Sequence, residues 1–440
     1  MHALDHRGFR VGFASVALFA ALAGESLRYS ISWIGFAAVV IAIASVACVI
    51  LVREHRAGTF TLGGLPYPLL VFVALATVSL AWSFYPGATL LGLLGLWMGV
   101  IVGAALAIAL TWAEILVALG RPLRIILAAS IVFELWVSLV VREKVLPFFA
   151  PPGIDYDAID RIPVLMYWSR NVLFTDDKIQ GIVGNSSLLG FLGLLALVVF
   201  SVQWGARTVG RISGLVWMAL AVFTILHTRS ATITIAIVVL AVVILTIVVL
   251  RRVRRVHRTW VWNTVLALVA ATTIASIAFP AQLLAIVGKS PDLTQRLSIW
   301  DGVIRLAHER PVFGWGWVSY WAPWVSPFDR LAFTSGVRQL HAHNAWLDVW
   351  LQLGAIGVIV FAALMLSTTT RAVLHAADRG VGERGVPLRF TVESYLPALI
   401  MFALLVQTVA ESRILVEYGI VLLVMISVKT KLHESHPAAP

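Results

Sequence analysis

The stretch 340–361, LHAHNAWLDVWLQLGAIGVIVF, opens with two histidines and an asparagine and runs on as a long apolar helix pattern. About 20 mostly apolar residues in a row make a helix long enough to cross a bilayer. A titratable side chain at the mouth of such a helix is costly unless a water-filled site uses it, so His341 and His343 are functional candidates by default. The rest of the chain reads as scaffold for that position, or as its partner.

Working outward, the composition sets the class. The 440 residues are 60% hydrophobic and only 12% charged, with a mean hydropathy of +0.93. Soluble domains carry about twice that charged fraction. The expectation is an all-α polytopic membrane protein, a single transmembrane domain over 1–440. The formal net charge is +11, yet the arginines lie in short loops between apolar runs. There they set orientation, and no nucleic-acid partner is expected. The one cysteine, Cys48, lies inside an apolar run, so there is no disulfide framework. The start, MHALDHRGFR and an apolar run, has the outline of a signal peptide without a small-residue cleavage site, and reads as an uncleaved first helix.

Hydropathy gives about twelve spans, near 10–24, 31–52, 65–83, 88–110, 121–141, 182–203, 212–227, 231–250, 261–279, 345–367, 391–410 and 414–428. Arg53 and Arg56, Arg121 and Arg124, Arg207 and Arg211, Arg251 to Arg258, and Arg371 to Arg389 fall on one side. Arg7, Arg10, Lys429 and Lys431 join them, so that side and both termini are expected in the cytoplasm. Two long segments, 142–181 and 280–344, then lie outside, and both carry too many aromatics for disorder. The first is acidic, with Asp155, Asp157, Asp160, Asp176 and Asp177. The second contains PDLTQRLSIWDGVIRLAHERPVFGWGW (291–317), in which Leu293, Leu297, Trp300, Ile304 and Ala307 recur at helical spacing. That predicts an amphipathic helix at about 293–309, ended by Pro311 and the Gly314/Gly316 pair, with Arg296 on its polar side. Such a helix lies on the outer membrane surface or caps a cavity.

The histidine pair leaves three readings open: metal ligation, helix capping, or an imidazole that accepts a proton near neutral pH. No carboxylate or further histidine follows at ligand spacing, so no metal is expected. Asn344 either orients a working histidine or caps the following helix. Arg229 in HTRSAT (227–232), Arg296 and Arg413 stand on the outer side. Each has a plain alternative: a snorkelling helix end, a solvated face, and an ion pair with Glu411. Together they suit a diphosphate, which guanidiniums bind through forked hydrogen bonds. Weaker signals are GIVGNSSLLG (181–190), read as close helix packing, and Glu25 with Arg28, read as a solvated pair. RRVRRVHR (251–258) suits anionic lipid. Trp315, Trp317, Trp321 and Trp324 suggest an interface belt, with sugar stacking as the alternative.

Two stretches, QRLSIWDGVIRLAHERPVFGWGW (295–317) and HAHNAWLDVWLQLGAIGVIVF (341–361), carry a resemblance to the O-antigen ligase and polymerase family of integral-membrane glycosyltransferases. SLAWSFYPGATLLGLLGLW (79–97), GIVGNSSLLG and TRSA (228–231) extend it over most of 79–428. The resemblance implies a GT-C-like fold of about a dozen helices, with a large extracytoplasmic loop between two late spans. It also implies a polyprenyl-diphosphate-linked glycan as donor, a glycan or glycolipid acceptor, and no metal or other cofactor. It makes His343 the base and has Arg229 and Arg296 hold the diphosphate. The family's Ser-Arg order departs here to Thr228-Arg229-Ser230, and His341 is a second candidate base. The chemistry agrees independently. A glycosyl diphosphate is already activated, so transfer needs only charge stabilisation on the leaving group and a base for the acceptor hydroxyl. The expected enzyme is an inverting, metal-independent ligase in the bacterial inner membrane, working on the extracytoplasmic face among membrane lipids. Alternatives are a polysaccharide polymerase of the same family and a transporter or flippase for lipid-linked sugars. The polar residues crowd one face rather than the midplane, which runs against transport.

Overall fold

The structure, a computed structural model, describes residues 6–278, 291–334, 337–379 and 389–435. Its helices are α1 (Arg7–Leu22), α2 (Gly24–Arg56), α3 (Tyr67–Val78), α4 (Pro86–Ala109), α5 (Trp112–Trp136), α6 (Ser186–Gly205) and α7 (Arg211–Thr228). After them come α8 (Ala231–Arg252), α9 (Arg258–Ala278), α10 (Pro291–Glu309), α11 (Ala345–Ala377), α12 (Tyr395–Ala410) and α13 (Glu417–Ser435). All except α10 fall on the apolar segments expected from hydropathy. Among the described residues α2, α4, α5, α6, α7, α8 and α11 are long and apolar enough to cross a membrane, and α3 and α12 are shorter apolar helices. A small antiparallel hairpin, β1 (Phe333–Thr334) and β2 (Val337–Arg338), precedes the histidines. Part of the second expected long loop, 280–290 with 335 and 336, lies outside the described residues, as does Arg384.

The local starts are written in the sequence. Pro66 and Pro68 open α3, and Pro86 sits in the first turn of α4, where a missing N–H costs nothing. Thr111 and Glu114 form a reciprocal capping box at α5. The centre is α13, buried on every side from Ile420 to Ile426, as an all-round apolar helix must be. It packs against α4 and α11. A Cβ at Gly103 of α4 would stand 2.7 Å from the Val421 carbonyl, so glycine sets that approach. Gly190 in the glycine-rich stretch similarly packs against Thr228 and Ile233.

Three expectations need correction. Hydropathy placed an outer loop at 25–30, but α2 starts at Gly24 and takes only a non-helical φ of 73° at Ser32. Glu25 and Arg28 find buried partners, so the chain has no reason to leave the helix for water. The tryptophans do not form a belt: Trp317 and Trp321 are fully buried, and only Trp324 is strongly exposed. Trp317 packs edge-on to Phe72, and Trp321 stacks on Phe328. Finally, the apolar stripe of α10 is rotated by about one position relative to the predicted one. Ile299, Val303, Leu306 and Ala307 are buried while Leu297 is half exposed. Arg296 therefore turns inward instead of lying on a solvated face.

A break in α11 explains how α10 is mounted. Gly354 has φ 66°, and a Cβ there would collide with the Val312 carbonyl. The break frees backbone groups that are buried and so need partners. The segment after α10 satisfies them: Trp315 N–H donates to Leu351 O (3.0 Å), Gly316 N–H to Gln352 O (2.9 Å), and Ala355 N–H to Pro311 O (2.8 Å). Gln352, fully buried, accepts from the N–H groups of Val318 and Ser319 at 2.9 and 3.0 Å. The FGWGW turn is thus stapled to the helix that follows the histidines, which fixes α10 against the mouth of α11.

Candidate active site

The site gathers around Glu411, the first residue after α12. Asn344 caps α11, its side-chain oxygen accepting from Trp346 and Leu347 N–H at 3.0 and 3.3 Å. The cap is therefore the asparagine, which leaves both imidazoles available. His343 precedes it with φ 49°, a left-handed backbone that a residue with a Cβ holds only when its surroundings enforce it. Its Nδ1 stands 3.1 Å from Glu411 Oε2, and its Nε2 3.1 Å from Gln339 Oε1. Arg296 Nη2 reaches the other oxygen of Glu411 at 3.1 Å. One carboxylate thus joins the base candidate to the guanidinium delivered by α10.

His341 sits against this group, 4.0 Å between ring centroids, and its Nδ1 accepts from the His343 backbone N–H at 3.1 Å. Burial, reinforced by positive charge on His343, holds the His341 imidazole well below its ordinary value. Glu411 goes the other way. Burial raises it, but the His343 charge and hydrogen bond, with His341 and Arg296 beyond, outweigh that and keep the carboxylate ionised. His341, His343 and Glu411 place ligating atoms within 4.8 Å of one another. Both Glu411 oxygens already have partners, His343 Nδ1 and Arg296 Nη2, however, and the Arg296 guanidinium opposes a metal cation there.

Arg413 is close in sequence but belongs to a different arrangement. The expected ion pair with Glu411 does not form. Arg413 instead bonds Glu417 Oε2 at 2.9 Å and Glu25 Oε1 at 3.2 Å. Arg28 closes the circle, 2.6 Å from Glu417 and 3.0 Å from Glu25. This neutral ring of four is nearly sealed, with the two arginine side chains 9% and 4% exposed. Tyr320 bridges the two groups, its ring 5.6 Å from the Arg413 guanidinium carbon and 5.5 Å from the His341 ring centroid. Arg229 stands apart in the left-handed C-cap of α7, about half exposed, paired at 2.8 Å with a fully exposed Asp176.

Of the residues singled out by sequence, His341, His343, Asn344, Arg296 and Glu411 come together. Arg413 adjoins them with its guanidinium committed, and Arg229 pairs elsewhere. Sequence reasoning passed over Gln339, Tyr320, Glu417 and Asp348. The last had a usable signal: a carboxylate inside an apolar run demands a reason.

Residues 215–362, 148 of the 440, match a family model described as O-Antigen ligase. The matched segment runs from within α7 to the middle of α11 and carries Arg229, Arg296, His341, His343 and Asn344, while Glu411 and Arg413 lie beyond it. No curated protein matches the chain. The match supports the O-antigen ligase family and a membrane glycan-transfer function, and it agrees with the resemblance carried by the two motif stretches.

Proposed function

We propose that this chain, which carries the O-antigen ligase domain, transfers a glycan from a polyprenyl diphosphate carrier to an acceptor hydroxyl, with His343 as general base. The observation that carries the reading is the Arg296–Glu411–His343 relay, assembled from three separate elements (α10, the turn after α12, and the mouth of α11). Glu411 accepts from Nδ1–H and leaves Nε2 as the lone-pair nitrogen, so a carboxylate fixes the tautomer of the base. Gln339 Oε1, whose amide nitrogen donates to Val337 O, occupies the place at Nε2 that the acceptor hydroxyl would take on displacing it. His341 is the weaker base, because its Nδ1 is used by the backbone and burial lowers its affinity for a proton.

The reaction balances without a redox partner. The acceptor O–H gives its proton to His343 Nε2 as its oxygen attacks the anomeric carbon. The bond from that carbon to the diphosphate breaks, the electron pair leaves with polyprenyl diphosphate, and the configuration inverts. His343 then returns the proton to water. Charge gathers on the leaving diphosphate, and a guanidinium placed there stabilises the transition state more than the ground state. Arg296 is next to the base, and Arg229 is held only by an exposed pair of the kind that contributes about 0–1 kcal/mol, so it is free to turn to a phosphate. Arg413 is the guanidinium least free to do so. The same reading has all twelve apolar helices cross a bacterial inner membrane, termini in the cytoplasm, with the site facing outward among lipids.

Purified protein, a synthetic polyprenyl-diphosphate glycan and candidate acceptors test this directly, with wild type beside His343→Ala and a chelator arm. The reading predicts transfer by wild type that survives chelation and is lost in His343→Ala. Product analysis separates a ligase, which moves the glycan to a different anchor, from a polymerase, which extends another lipid-linked glycan. Donor movement across liposomes with no glycosidic bond formed would replace the reading with a flippase.

A further inference from the structure

Asp348 lies one turn inside α11, fully buried, and makes no direct contact with the base. A carboxylate in the first turn of a helix ordinarily serves the helix dipole, but it does so at the surface. Taking one out of water is costly unless several donors reach it. Three do. Oδ1 accepts from Trp321 Nε1 at 2.8 Å, and Oδ2 accepts from the Ala342 backbone N–H at 2.9 Å and from the Ser412 hydroxyl.

The identity of those donors matters more than their number. Ala342 stands between His341 and His343. Ser412 stands between Glu411 and Arg413. A single oxygen atom therefore ties the segment bearing the base to the turn bearing its carboxylate partner. Ala342 is also held through its next peptide group, its carbonyl accepting from Trp300 Nε1 at 2.9 Å. Trp300 is one helical turn beyond Arg296 on α10, so that helix reaches both the relay and its support. His343 needs such external restraint, because its left-handed backbone is not one it adopts unaided.

We propose that Asp348 is a positioning residue for glycan transfer, setting the separation and angle of the His343–Glu411 pair by holding Ala342 and Ser412 to one carboxylate. The proposal rests on the reading of His343 as the base. It predicts that loosening this clamp slows the chemical step, since a misplacement of about 1 Å can cost roughly 10²-fold in rate, while donor binding through the guanidiniums persists.

The test uses the purified full chain, with donor and acceptor titrated separately and the melting temperature measured for every variant. Asp348→Asn puts an amide where two donors need an acceptor, and Ser412→Ala removes one hydroxyl while leaving the buried carboxylate two donors. Each should lower kcat, by about 10- to 100-fold for Asp348→Asn and less for Ser412→Ala, with donor KM within about threefold of wild type. In a Glu411→Gln background the same changes should cost little more, because the pair they align is already broken. Ser412→Ala decides the matter where Asp348→Asn fails to fold. A lowered melting temperature with unchanged kcat per folded molecule, or rate losses that multiply independently of Glu411→Gln, would make the contact purely structural and overturn the proposal. Normal transfer by His343→Ala would overturn the base assignment and this inference with it. Loss in His343→Ala with full activity in both Asp348→Asn and Ser412→Ala would overturn the positioning role alone.

Discussion

Two charge clusters share one turn of chain, Glu411-Ser412-Arg413, and they are built for opposite ends. In the ring of Glu25, Arg28, Arg413 and Glu417 each carboxylate faces both guanidiniums, charge sums to zero, and water is nearly shut out. In the group around Glu411 one carboxylate serves a histidine and an arginine that are each still partly exposed, and an imidazole nitrogen faces only an amide. A closed ring, in which every charge already faces two of the opposite sign, ties α2 to α13 and the turn before it. An incomplete one can exchange a partner for substrate. On the proposed reading, buried charge alone does not mark the working site; a group with a partner it can exchange does.

The largest effect that would break this contrast is on rate. His343→Ala should lower transfer by about 10²- to 10⁴-fold, the usual share of a general base, without lowering the melting temperature. A small rate loss there would move the chemistry elsewhere. Next comes stability. Arg28→Met leaves Glu25 and Glu417 with one guanidinium between them, and breaking a buried pair in this way costs about 3–5 kcal/mol. Thermal unfolding in detergent should show it as a large fall in melting temperature, and an unchanged value would mean the ring is not a staple.

Two smaller effects sharpen the same contrast. Arg229→Ala breaks only an exposed pair, so stability should change by no more than about 1 kcal/mol, while donor KM rises if that guanidinium turns to the diphosphate. An unaltered KM removes Arg229 from the donor site. The smallest effect is acid dependence. Glu411 has its folded-state value lowered by His343 and Arg296, so its stabilising contribution is full above the ordinary carboxylate value of 4.5 and fades as pH falls below it. The melting-temperature gap between wild type and Glu411→Gln should narrow over that window. A gap that stays constant through it would contradict the pairing.

Much of this molecule is legible in the sequence, for identifiable reasons. Apolar runs of span length give the helices because the bilayer sets length and composition together. The polar mouth HAHN points to the candidate site because titratable groups there need a use. The misreadings have a common origin. Glu25 with Arg28, and Glu411 with Arg413, look like local pairs because sequence spacing reports neighbours along the chain. Glu25 and Arg28 do pair, but buried and with Arg413 and Glu417 as further partners, while Glu411 takes Arg296 and His343 in place of Arg413. The Arg296 face was misjudged for a related reason. The apolar residues of α10 fit two stripes about one position apart, and only the packing against α11 and its preceding loop chooses between them. Asp348 was legible in principle as a lone carboxylate in an apolar run, but its donors come from Trp321, Ala342 and Ser412, which only the fold assembles.

The most direct test compares Glu411→Gln with Glu417→Gln, one isosteric change in each cluster, measuring glycan transfer per folded molecule and melting temperature on the same samples. The account predicts that Glu411→Gln loses most of its transfer and keeps most of its melting temperature, while Glu417→Gln does the reverse. Transfer lost through Glu417 and retained through Glu411 would contradict it, and would place the working charge in the ring.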